Sequence, residues 1–190
     1  MKLLEDKILA FGKVLPGEVL KVDNFLNHQI DVALVTELGN AFYEHFSLYN
    51  ITKILTVESS GIALAFAAAQ RFNVPVVFAK KGKHKNVGDN VYTCECFSYT
   101  KGTTYEITVS KDYLTKEDKV LIIDDFLANG AACECLMNII GQAGAELMGI
   151  GIAIEKGFQP GGEKLRRQGI DVQSLAIIES MTDSSVTFRG

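Results

Sequence analysis

The chain has 190 residues, 47% of them apolar and 22% charged, an ordinary globular balance with length enough to bury a substantial core in one domain. Its 19 basic and 23 acidic residues give a net charge of −4, which argues against dedicated nucleic-acid binding, where a basic face is needed. No run of about 18 apolar residues is present, so no membrane span is expected. Glu5 and Asp6 fall where a secretory leader needs its apolar stretch, so a cytoplasmic location is the default.

Leu3, Leu4, Ile8 and Phe11 recur at helical spacing and predict a short helix over 2–12, broken by Pro16-Gly17. Residues 19–22 form a short extended piece. The stretch 21–30 mixes polar and aromatic residues and reads as neither a clean helix nor a clean strand. Asp31 is placed to cap a second helix with apolar positions Val32, Val35, Leu38, Phe42 and Phe46. Residues 53–57 read as a buried strand, Glu58-Ser59-Ser60-Gly61 as a turn, 62–72 as an Ala-rich helix and 74–79 as the next strand. That strand–helix–strand unit favours a parallel sheet. The polar stretch 80–90 carries Lys80, Lys81, Lys83, His84 and Lys85, and a charge run of this kind is commonly a solvated loop. Two alternating segments, 91–99 and 105–109, predict an antiparallel hairpin around Lys101-Gly102-Thr103.

Residues 120–123 then form an apolar strand that runs into Asp124 and Asp125, followed by a short loop and a helix opened by Gly130. Residues 147–154 are another apolar run, Gly161-Gly162 precedes a short basic helix, and 172–178 and 186–188 close the chain as strands. The cysteines fall as Cys94-x-Cys96 in a strand-like stretch and Cys133-x-Cys135 in a helix. The spacing is not the CxxC of zinc sites, so reduced, mostly buried thiols are expected rather than zinc or disulfide chemistry.

The segment from Val120 to Ala132 carries the most chemistry. A helix N-terminus offers unpaired backbone N–H groups and a positive dipole end, which suit a phosphate. Two carboxylates at a strand end can accept hydrogen bonds from vicinal hydroxyls or hold Mg²⁺ through water. A phosphate on one side and a diol on the other describe a ribose 5-phosphate. The turn Glu58-Ser59-Ser60-Gly61 also follows a strand and starts a helix; it is either a plain cap or a second anion cradle.

The acidic strand end and its loop resemble the signature by which type I phosphoribosyltransferases bind 5-phosphoribosyl 1-pyrophosphate (PRPP). Asn129 stands where that signature has Thr, and Ala132 where it has Thr or Ser, so two hydroxyl donors to the phosphate are missing. The resemblance implies an α/β fold, a central parallel sheet flanked by helices, with a small hood and a β-hairpin flexible loop. It implies a single domain over 1–190 in which 1–30 and 155–190 contribute the base-binding hood. Asp124 and Asp125 would hold the ribose, and Ala128, Asn129, Gly130, Ala131 and Ala132 the 5-phosphate. Glu58, Ser59, Ser60 and Gly61 would meet the pyrophosphate. A mobile loop at 80–90 would close over it, with Lys81 as its contact to the pyrophosphate. Mg²⁺ would arrive with PRPP rather than on dedicated protein ligands, and a homodimer is expected.

The strings Lys21–Ile30, Val57–Gly61 and Ile154–Gly161 are similar to those of the xanthine-using members of the family, over nearly the whole chain. That similarity implies a purine pocket formed by Leu20, Asn27 and Lys156. The Lys156 ammonium would favour xanthine, with its 2-oxo group and partial negative charge, over a 2-amino purine. The expected reaction joins xanthine N9 to the phosphoribosyl group, giving xanthosine 5′-monophosphate (XMP) and pyrophosphate. Phe25 and Phe158 would stack on the base or belong to the core. Three alternatives stand beside this reading. One is a phosphoribosyltransferase for guanine, hypoxanthine or adenine. Another is a non-catalytic PRPP-sensing regulator. The third, a dinucleotide-binding domain, lacks the GxGxxG it would need.

Overall fold

The computed structural model describes residues 1–82, 90–98 and 102–190. The chain opens with α1 (Lys2–Phe11), which buries Leu4 and Ile8. Two short strands, β1 (Lys13–Leu15) and β2 (Val19–Lys21), pair antiparallel across the Pro16-Gly17 turn; the first was not expected. The ambiguous polar-aromatic stretch winds into one π-helical turn, Asp23–Asn27, which buries Phe25 and Leu26. In α2 (Val32–Phe46) the cap is made as expected: Asp31 Oδ1 accepts from the Leu34 N–H at 3.1 Å.

Next come β3 (Lys53–Val57), α3 (Gly61–Phe72) and β4 (Val76–Lys81). β4 begins two residues later than the sequence suggests. The Val74 N–H still bonds to Ala69 O at the helix end, and Pro75 has no N–H to offer a neighbouring strand. The hairpin forms as β5 (Val91–Ser98) and β6 (Thr103–Ser110). Then follow β7 (Lys119–Leu127), α4 (Ala131–Ala143), β8 (Glu146–Lys156), α5 (Gly161–Arg167), β9 (Val172–Met181) and β10 (Val186–Phe188).

The main sheet has the order β10-β9-β8-β7-β3-β4-β6-β5. β9, β8, β7, β3 and β4 run parallel, while β10 and β6 each run antiparallel to their inner neighbours. Both faces are covered. Leu121 and Ile123 of β7 join α1, α2 and α3 in one core, and Val120 and Ile122 join α4 and the hairpin in the other. That two-sided burial is why the central strands are continuous apolar runs rather than alternating ones. The N-terminal segment packs against the last long strands: the Met1 amino group donates to Leu175 O of β9, and Lys156 Nζ, at the end of β8, donates to Glu18 O at 2.8 Å. None of the helices among the described residues is long and apolar enough to cross a membrane.

Candidate active site

Topology places the site. From β3 the chain crosses to β4 on one side; from β7 it crosses to β8 and then β9 on the other. The strand order therefore reverses between β3 and β7, and in open α/β sheets ligands lodge in the crevice outside the carboxyl ends at such a reversal. The Glu58–Gly61 turn leaves β3 there, and the Ala128–Gly130 loop leaves β7.

The two acids do not sit beyond the end of a strand, as the sequence suggests. β8 extends to Lys156 and pairs with β7 through Leu127↔Glu155, so β7 carries Asp124 and Asp125 inside it. Successive strand side chains point to opposite faces. Asp125 faces a cavity of about 810 Å³ and accepts from Asn27 Nδ2 at 3.3 Å. Asp124 is 7% exposed and is not on that cavity's wall. Its Oδ1 accepts from the Asp125 N–H at 3.0 Å and lies 2.8 Å from where a Cβ would stand on Gly61. The start of α3 is thus pressed against the buried acid, and only a residue without a side chain fits there. Burial, then the neighbouring Asp125 carboxylate, push the Asp124 carboxyl well above the usual carboxylate range.

Gly130 turns the chain into α4 with φ +89, a left-handed conformation that glycine adopts without cost. Its neighbour across the site is the start of α5. The Gly161 N–H donates to Ala128 O at 3.0 Å, and a Cβ on Gly161 would fall 2.3 Å from that same oxygen. The phosphate-type loop is therefore buttressed from outside by the turn that follows β8. That turn is fixed in its place by an ion pair between a buried carboxylate and a partly exposed guanidinium. Arg166 of α5 donates to both oxygens of Glu155, at 2.8 and 2.7 Å, and Glu155 is 2% exposed. Burial pushes the Glu155 carboxyl up, but the Arg166 and Ser174 hydrogen bonds outweigh it and hold the group below its ordinary value.

The 810 Å³ cavity gathers Leu20, Asn27, Asp125, the whole run Ala128–Ala132 and Lys156, from four separate stretches of chain. Burial lowers the Lys156 ammonium's pKa, with Glu18 opposing. Phe25 is not on the cavity wall; it is 2% exposed and belongs to the core, because the π-helical turn points it inward. Phe158 likewise packs against that core. Lys81 stands at the end of β4, its N–H donating to Glu58 Oε1 at 2.6 Å and its ammonium 5.6 Å from the centre of the Tyr105 ring. It is on the Glu58–Gly61 side rather than on the cavity wall. Lys83, His84, Lys85 and the rest of 83–89, where the covering loop was expected, lie outside the described residues.

The family comparison bears on the chain as a whole. A family profile described as phosphoribosyl transferase domain matches residues 21–182. The chain belongs to the phosphoribosyltransferase family. A xanthine phosphoribosyltransferase of Ruminiclostridium cellulolyticum is 57% identical over 188 residues, covering 99% of both chains. One from Finegoldia magna is 57% identical over 189 residues, covering 100% of both. Among solved structures, the Giardia lamblia adenine phosphoribosyltransferase complexed with 9-deazaadenine superposes with a TM-score of 0.77 over 94% of this chain and 98% of its own, at 24% identity. That last likeness is one of fold.

Several cavity residues escape sequence reading. Gln159, Pro16 and Gly17 line it beside Lys156, and Cys96, Phe97 and Tyr105 line it from the hairpin. Pro16-Gly17 carried only a turn signal. The hairpin residues carried only strand alternation, which does not say which face meets a ligand. The Glu155–Arg166 pair had no local signal, since the partners lie 11 residues apart on different elements.

Proposed function

We propose that this phosphoribosyltransferase is a purine salvage enzyme that transfers the 5-phosphoribosyl group of PRPP to N9 of xanthine, releasing XMP and pyrophosphate. The observation that carries the proposal is the single cavity at the β3/β7 reversal, where Asp125, the 128–132 loop and Lys156 face one space. Relatives named for xanthine match at 57% identity from end to end.

Transfer makes the ribose C1 cation-like as its bond to pyrophosphate lengthens, so the protein needs position and charge rather than a covalent nucleophile. The backbone N–H groups at the start of α4 hold the 5-phosphate, with the Asn129 amide beside them. Asp125, steadied by Asn27, accepts from the ribose hydroxyls, and its carboxylate faces developing positive charge. Asp124 supports it from behind through the Asp125 N–H. The turn 58–61 and Lys81 receive the pyrophosphate at the start of α3. The oxygen donors here suit Mg²⁺, which would come in on PRPP with Asp125 the carboxylate facing it. When bound, the ion neutralises charge on the departing pyrophosphate.

On the base side, Leu20 packs on the purine face and Asn27 offers a donor and an acceptor to its edge. The Lys156 ammonium, already disfavoured by burial, gains from a partly anionic 2-oxo purine and gains nothing from a 2-amino one. The N-terminal and C-terminal segments that carry these residues act as the hood, and the enzyme works as a cytoplasmic homodimer. The test is PRPP-dependent nucleotide formation with xanthine, guanine, hypoxanthine and adenine in parallel. The proposal expects xanthine to give the highest kcat/KM. A higher value for any other purine, or no nucleotide from all four, overturns it.

A further inference from the structure

Three of the four thiols meet between the hairpin and the helix that carries the phosphate loop. Cys94 and Cys96 are two apart on β5 and project to one side, against α4. Cys135 of α4 reaches up to them: its Sγ lies 3.0 Å from Cys94 Sγ and 3.2 Å from Glu95 O. Cys94 Sγ reaches the same carbonyl at 3.7 Å. All four cysteines are free. Cys94 is partly exposed, while Cys96 and Cys135 are 2% and 6% exposed. Of the two helix cysteines only Cys135 takes part, since residues two apart on a helix do not face the same side.

We propose that Cys94 and Cys135 form a peroxide-sensitive dithiol whose disulfide staples the hairpin to α4 and slows the phosphoribosyl transfer. The slowing rests on the function proposed above; the disulfide does not. Cys94, the exposed member, meets the oxidant first. Its sulfur attacks one peroxide oxygen, an S–O bond forms, the O–O bond breaks, and the leaving hydroxide takes the thiol proton as water. The Cys135 sulfur then attacks the Cys94 sulfur, an S–S bond forms, the S–O bond breaks, and the second hydroxide leaves as water with the Cys135 proton. Two thiols are oxidised by two electrons and one peroxide is reduced to two waters.

Cys96 stands beside Cys135 and relays that proton to the departing hydroxide. Hydrogen bonding from the Cys135 thiol, then from the Tyr105 hydroxyl, and the charge of Lys81 hold the Cys96 thiol down to about 6 against the opposing effect of burial. The sulfurs need approach by only about 1 Å to reach a disulfide length of about 2.05 Å. The consequence for the site follows from what each element carries. Cys96 and Phe97 of β5 form one wall of the 810 Å³ cavity, and Ala131, Ala132 and Cys133 of α4 form another. A bond between residues 94 and 135 fixes the separation of these walls, across which PRPP would have to settle.

The experiment treats the full chain with hydrogen peroxide and maps its peptides without reduction. The expected result is a Cys94–Cys135 linkage, a fall of at least fivefold in kcat/KM for PRPP, and recovery of both with dithiothreitol. Cys94→Ser and Cys135→Ser, neither of which lines the cavity, should keep their untreated activity and lose the response to peroxide. Cys135→Ala provides a second variant should the serine perturb packing. Free thiols at both positions after treatment, a Cys96–Cys135 linkage in their place, or a formed Cys94–Cys135 bond with unchanged kinetics would each overturn the proposal. An untreated enzyme inactive on every purine would instead sink the phosphoribosyl reading, while the peptide map would still decide whether the dithiol exists.

Discussion

Gly161→Ala separates local preference from tertiary constraint, because the two give opposite signs. Gly161 is the first residue of α5, and alanine is the better helix former there by up to about 1 kcal/mol. On that ground alone the variant should be more stable and fully active. In the structure a Cβ at this position falls 2.3 Å from Ala128 O, 2.7 Å from Asn129 C and 2.7 Å from Gly130 N. All three are backbone atoms, so no side chain can rotate out of the way. An ordinary C···O contact is no closer than about 3.3 Å, so the turn and the loop must separate by about 1 Å. The Gly161 N–H to Ala128 O bond, 3.0 Å long, is then lost or stretched. Overpacking of this kind costs about 1–3 kcal/mol, which exceeds the helix-propensity gain. A displacement of about 1 Å in a positioning element can lower turnover about 100-fold. Steady-state kinetics with PRPP as the varied substrate, together with thermal unfolding, measure both effects. Gly161→Ala should melt lower than the parent and lose kcat/KM for PRPP by one to two orders of magnitude. A variant with equal or higher Tm and parental kinetics would refute the claim that α5 buttresses the phosphate loop.

Asp125→Ala should cut turnover by at least about 100-fold with little change in Tm, since the carboxylate faces the cavity, where Asn27 Nδ2 donates to it at 3.3 Å; stopped assays at saturating PRPP and a melting curve measure the two. Lys156→Ala should weaken xanthine more than hypoxanthine, and equal loss of kcat/KM for both bases would remove the charge argument for specificity. Glu155→Gln leaves Arg166 facing a neutral partner. Breaking a buried pair costs about 3–5 kcal/mol, and because Arg166 is 35% exposed we expect about 2 kcal/mol by chemical denaturation. Asp124 gives a pH signature: its folded pKa lies above the unfolded value of 3.8, so ionising it opposes folding. The cost is absent below that value and grows as pH rises towards the folded pKa. Asp124→Asn should therefore exceed the parent in stability at pH 7, with the gap closing by pH 3.5 or so; a gap independent of pH would refute the sign.

What the sequence determined by itself is what short-range physics writes into a few adjacent residues. The Asp31 cap, the parallel strand–helix–strand unit and the acidic pair before a glycine-opened helix were legible because the period of burial and the capping chemistry act within one or two turns. The family signature made the Ala128–Ala132 loop and the Leu20, Asn27 and Lys156 positions legible too. Tertiary structure decided the rest. It carried β7 onward through both acids, because β8 is long enough to pair with it, and so turned Asp124 inward while Asp125 met the cavity. It put Phe25 in the core, where an aromatic side chain beside a polar run gives no hint of which way its turn will face. It also brought Gly161 onto Ala128, Arg166 onto Glu155 and Cys135 onto Cys94, contacts between residues 11 to 41 positions apart. Such contacts depend on how the crossovers stack the elements on the sheet, and that stacking leaves no periodicity in the chain from which it could be read.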